Sequence, residues 1–95
     1  MTLKVAMITY STTTNVPSFD TYLVDCSGGD ILLTINNITT DGMTFLIKRI
    51  DESDHLVTIQ GYNINQTIDG YVTIPLFIKE AHRFVSFNGV WRSLR

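Results

Sequence analysis

Residues 41–60, DGMTFLIKRIDESDHLVTIQ, decide how the rest of the chain is read. Two runs rich in Ile, Val, Thr and Phe, Met43 to Ile50 and Leu56 to Gln60, flank a polar segment from Asp51 to Asp54. Such side chains suit a pleated, half-buried surface, and neither run repeats its apolar residues at helical spacing. The stretch predicts a β-hairpin. Phe45, Ile47, Val57 and Ile59 alternate toward the core, while Lys48, Thr58 and Gln60 point away from it.

Working outward toward the N-terminus, Lys4 to Tyr10 alternates as a first strand, broken by the Ser/Thr/Asn run 11–15 and by Pro17. Thr21 to Asp25 and Ile31 to Ile35 are expected to pair as a second hairpin, with Gly28 and Gly29 supplying the reversal between them. Beyond Gln60, the turn signal 67–70, TIDG, precedes a strand from Tyr71 to Ile74 that Pro75 ends or places on a sheet edge. Residues 76–81 are the one place where a helical turn would fit.

The clearest local signal closes the chain. Asn88-Gly89 suits a two-residue type I′ turn, which pairs Phe87 with Val90 and Ser86 with Trp91. Phe84 and Trp91 then share one face, and Val85, Phe87, Val90 and Leu94 line the other. A hairpin apolar on both sides is expected to bury one of them against a neighbouring subunit. Short strands spaced about 8–12 residues apart indicate an all-β fold, a small antiparallel β-sandwich or jelly-roll-like domain filling residues 1–95. Neither a linker nor an internal repeat is evident.

At 95 residues the chain is near the lower end of what folds alone, and 44% of it is apolar against 17% charged. With a positive mean hydropathy as well, some apolar surface is expected to be covered by another chain. A net charge of -2 with scattered basic residues, only Arg92 and Arg95 lying near the C-terminus, argues against a nucleic-acid partner. No apolar run reaches about 18 residues, so membrane insertion is not expected. The start MTLKVAMITYSTTTN lacks the features of a signal peptide.

The order of segments carries a resemblance: DTYLVD at 20–25, SGGDI at 27–31, LTI at 33–35, DGMTFLIKRID at 41–51, LVTI at 56–59, TIDG at 67–70 and NGVW at 88–91. Together, over residues 5–94, they resemble the small β modules of tail-fibre and other virion proteins of bacteriophages and large DNA viruses. The chain departs from that pattern at Asn36, where a proline is usual, at Met43, where a lysine is usual, and in the shortened turn Asn88-Gly89. The resemblance implies a virion structural module, homotrimeric, that caps or links a fibre. Its implied partners are copies of itself, other virion proteins and a host-surface glycan or receptor, with no cofactor and no catalysis.

The residues that could carry chemistry are few. Cys26 has no second cysteine and reads as a small buried hydrophobe beside a turn. His55 and His82 lack a neighbour at metal-ligand spacing and read as solvated loop residues. Glu80 could orient His82 as a base, but no nucleophile motif accompanies them. The acidic turn Asp51–Asp54 is too short for a calcium loop and reads as solvated. Asn37 and Asn65 begin glycosylation sequons that need a secretory route to be used. Tyr62, Tyr71 and Trp91 could stack on sugar rings, and with Phe87 they are the candidate ligand or interface contacts. A monomeric carbohydrate-binding module is therefore the alternative to the fibre reading.

Overall fold

A computed structural model describes residues 4–16 and 18–94. The strand break assigned to Pro17, the basic residue Arg95 and the first three residues lie outside that range. Among the described residues the chain forms nine strands and no helix: β1 (Val5–Ile8), β2 (Thr12–Thr13), β3 (Thr21–Val24), β4 (Ile31–Thr34), β5 (Thr44–Arg49), β6 (Val57–Gln60), β7 (Thr73–Leu76), β8 (Ala81–Phe87) and β9 (Val90–Leu94). They sort into a five-stranded sheet, β1-β3-β5-β8-β9, and a four-stranded sheet, β2-β4-β6-β7.

The two long-range hairpins expected from sequence do not form. β5 and β6, on either side of residues 51–54, belong to different sheets, and so do β3 and β4. The chain crosses from one sheet to the other and returns, and each circuit lays a strand parallel to the previous one. In the five-stranded sheet Val5 aligns with Thr21 and Thr21 with Leu46; in the other, Ile31 aligns with Val57. The sheets are thus mixed rather than antiparallel, and β1–β2, β3–β4 and β5–β6 are three stacked coils, a structural repeat that the residue types do not display. Antiparallel pairing begins only after the third coil, with β6–β7, β5–β8 and β8–β9.

Stacked arcs explain why the chain crosses instead of reversing in plane. At one end, arc 25–30 lies against arc 50–56: Ile50 N donates to Val24 O at 2.9 Å, Cys26 N to Asp51 Oδ1 at 3.1 Å, and Leu56 N to Asp30 Oδ1 at 2.8 Å. At the other end, Asn36 Oδ1 accepts from Thr14 Oγ1 at 2.7 Å and from Val16 N at 3.1 Å, while its Nδ2 donates to Val16 O. Gln66 continues the stack, accepting from Ile38 N at 2.8 Å. These polar side chains satisfy backbone groups that a corner takes out of the ladder. Gly61 is required here because a Cβ would run into the Gln66 carbonyl.

Alternation places the core as the sequence predicts. Phe45, Ile47, Val57 and Ile59 are buried, joined by Tyr22, Val24, Ile31, Leu33, Leu76, Phe84 and Trp91. Phe45 is the hub. Its ring stacks on Phe84 at 5.2 Å and meets the edges of Tyr22 at 5.7 Å and Trp91 at 5.1 Å. Such rings bury large areas and gain further from edge-to-face geometry, so truncating Phe45 to Ala would cost about 3–5 kcal/mol.

The terminal hairpin matches its predicted register, with Phe87 opposite Val90 and Ser86 opposite Trp91. Asn88 and Gly89 both have positive φ, 54° and 73°, as a type I′ turn demands. Pro75 lies inside β7, the edge strand of the four-stranded sheet, rather than after it. The segment 76–81 turns through Lys79 at φ 63° without any helix.

Candidate functional site

Because the inward residues of both sheets are spent on one shared core, what the molecule can present lies on its outer faces, and these differ. On the five-stranded sheet the outward rows run Val5, Thr21, Leu46, Arg83, Leu94, then Met7, Leu23, Lys48, Ala81, with Thr44, Val85, Arg92 and Phe87, Val90 beyond. Val5, Met7, Phe87 and Leu94 are about half exposed, and Leu23, Leu46, Val85 and Val90 are partly covered. The charged residues in these rows, Lys48, Arg83 and Arg92, are all cationic.

The four-stranded sheet turns out a neutral, hydroxyl-rich surface. Thr13, Thr34, Gln60 and Thr73 form one row, and Leu32, Thr58 and Pro75 another. A depression of about 320 Å³ beside it is bounded by Ser11, Asp30, Ile31, Leu32, Leu56 and Thr58 and opens broadly to solvent. Pockets that enclose small ligands are deeper and more apolar.

Two polar clusters lie inside. The acidic turn expected to be solvated is so only in part: Glu52 and Asp54 are exposed, but the Asp51 side chain is buried with Arg49, their Oδ1 and Nε 3.2 Å apart. Arg49 also donates to the carbonyls of Leu76, Ser53 and His55. Burial pushes the Asp51 pKa up, but bonds from Ser53 Oγ, Arg49 and the Cys26 and Ser53 amides outweigh it and hold the carboxyl well below the usual carboxylate range. Cys26 sits under this turn, fully buried as the sequence predicts, with Sγ 3.4 Å from both Asp51 oxygens. Burial raises its pKa and keeps the thiol protonated. Glu52 instead faces solvent and pairs with Lys79.

His82 also departs from expectation. It is an inward residue of β8, fully buried and stacked on Phe84, whereas His55 is exposed in its turn. Nε2 of His82 lies 2.8 Å from Glu80 Oε1, and Nδ1 lies 2.7 Å from Ser93 Oγ. Sequence reasoning found Glu80 and His82 but missed Ser93, which only the β8–β9 register brings into reach. The trio resembles a nucleophile, base and orienter in spacing. However, the Ser93 amide, the natural donor to an oxyanion, is bonded at 3.0 Å to the Asp69 carboxylate, which would repel developing negative charge. Chemically, the arrangement satisfies three polar groups at the margin of the core.

The four candidate contacts separate. Phe87 is exposed on the outer face of the five-stranded sheet, and Tyr62 and Tyr71 are exposed on the 61–72 segment. Trp91 is not available to a ligand or a partner: it is fully buried against Phe45, because the register that turns Phe87 outward turns Trp91 inward. Among the described residues no group of three or more His, Cys, Asp and Glu side chains converges as a metal site would. Comparison with known proteins finds no family model and no curated protein that matches this chain.

Proposed function

We propose that the chain is a non-enzymatic structural module that assembles with copies of itself, as a homotrimer, through the outer face of its five-stranded sheet. The observation that carries this reading is the number of apolar side chains turned out on that face. Val5, Met7, Leu23, Leu46, Val85, Phe87, Val90 and Leu94, from β1, β3, β5, β8 and β9, lie on it with Lys48, Arg83 and Arg92 among them, and contact with another copy would take them out of water. Burying such rows stabilises an assembly by roughly 25 cal/mol for each Å² removed from water.

Charge bears on the symmetry. Two such faces packed about a two-fold axis would bring Lys48, Arg83 and Arg92 toward their own equivalents. A ring avoids this, since each face then meets a different surface of its neighbour. The number three, the virion setting and a host glycan or receptor as partner rest on the order of segments in residues 5–94. Equilibrium sedimentation tests the reading: the expected mass at micromolar concentration is three times the 10.7 kDa of one chain, or a multiple of that. A single-chain mass over the same range would remove it.

Exposure of Tyr62 and Tyr71 favours a second reading, a monomeric carbohydrate-binding module. Glycan-array binding lost in Tyr62→Ala, by a chain that sediments as a monomer, would select it over the first.

A further inference from the structure

We infer that β1 pairs edge to edge with β1 of a second copy of this chain, antiparallel, about a two-fold axis at Ala6. The two ends of the coil stack differ in how they finish. At the far end β9 is flanked by residues 67–69: Trp91 N donates to Thr67 O at 2.9 Å and Asp69 N to Trp91 O at 2.8 Å, and the Asp69 carboxylate takes the Ser93 amide. The other far edge, β7, carries Pro75, which has no N–H to offer a further strand.

The near end has no such protection. Lys4 O accepts from Asp20 N and Thr21 N, and Ile8 O accepts from Asp25 N, so these carbonyls face β3. With a strand period of two, the backbone groups of Ala6 also face β3, and those of Val5 and Met7 face outward from the edge. Among the described residues no strand pairs with that side of β1. VAMI contains no proline, glycine or charge, the devices by which edge strands are normally blunted.

A second copy fits this edge better than a head-to-tail stack, because at the far end β9 is covered and β7 is interrupted by Pro75, whereas another near end offers an uninterrupted edge. Registered at Ala6, the antiparallel pair sets Val5 opposite Met7 of the other copy, twice. Val5 and Met7 are 49% and 54% exposed, and the pairing gathers all four side chains into one cluster on the outer surface. Symmetry decides the direction, since two identical edges that join one sheet about a two-fold axis run antiparallel.

The hydrogen bonds of this contact lie on the edge and not on the face, although Val5 and Met7 border both, so the pairing doubles whatever that face assembles. The double variant Val5→Cys, Met7→Cys tests it. Opposed residues in such a ladder lie about 5.5 Å apart at Cα, within disulfide range. Mild oxidation of the folded protein is expected to give a covalent dimer whose peptide map joins position 5 to position 7, while Thr21→Cys, one strand further in, gives none. Links joining 5 to 5 and 7 to 7, or no inter-chain links, would overturn the pairing. Met7→Pro removes only an outward N–H and is expected to halve the native mass; a folded Met7→Pro protein with unchanged mass would also overturn it. Repeating the cross-link in a Phe87→Glu background separates the two contacts, since the edge dimer is expected to survive there even where the ring does not form.

Discussion

The two outer faces of this molecule are built on the same coils yet are opposite in character. Each crossing of the chain contributes one strand to both sheets, and the alternation that buries Tyr22 and Val24 on one side buries Ile31 and Leu33 on the other. Outside, the five-stranded sheet carries mainly Val, Met, Leu and Phe with three cations, and the four-stranded sheet carries mainly threonine, with Gln60, Leu32 and Pro75 and no charge in its rows. On the proposed reading, the first face meets another copy and the second stays in water.

The largest effect should come from breaking that asymmetry directly. Phe87→Glu with Val85→Glu puts two carboxylates into the apolar rows and is expected to break the ring, leaving only the β1 edge dimer. Thr58→Glu with Thr34→Glu on the opposite face should leave the mass unchanged, and light scattering distinguishes the pairs.

Next in size is the corner that joins the two sheets between β5 and β6. Asp51→Ala leaves the buried Arg49 guanidinium without its carboxylate and is expected to cost about 3 kcal/mol or more in denaturant titrations, with both faces lost together. The same carboxylate has a pH signature. Its folded pKa is depressed, so its contribution is fully present above the unfolded value near pH 4 and is lost as pH falls toward the folded value. Asp51→Asn should therefore flatten the acid limb of the stability curve while lowering its neutral plateau.

Smaller again, Asn88→Ala forces an alanine into φ near 54° in the β8–β9 turn and is expected to cost about 1 kcal/mol. Read by thermal unfolding, it should weaken the five-stranded sheet without altering the threonine face. Lys79→Ala, which breaks the exposed pair with Glu52, should produce no measurable change in unfolding midpoint.

What the residues revealed, and what they hid, follows from how each feature is encoded. The terminal hairpin was legible because Asn88-Gly89 is local turn chemistry, and it fixed the register through Phe87 and Val90. The core residues Phe45, Ile47, Val57 and Ile59 were legible because alternation specifies a face. Alternation does not specify a partner strand, however, and the same pattern serves a hairpin or a crossing between sheets. Residues 51–54 were read as a solvated reversal because nothing local shows that Asp51 turns inward to Cys26, Arg49 and Ser53. The parallel coils are set by contacts such as Thr14 with Asn36 and the Ile38 amide with Gln66, between groups far apart in sequence. His82 was singled out but read as solvated, and Ser93 was missed although the legible hairpin register sets it near His82; Trp91 was misplaced as a contact because an aromatic residue in a two-faced hairpin suits either side until the sheet's position is known.

Hydroxyl-radical footprinting across a dilution series tests the central difference most directly. Labelling of Phe87 and Leu94 is expected to fall as concentration rises from nanomolar to micromolar, while Leu32 on the threonine-rich face labels equally throughout. Equal labelling of Phe87, Leu94 and Leu32 at every concentration would contradict the assignment of the five-stranded sheet as the face that meets another copy.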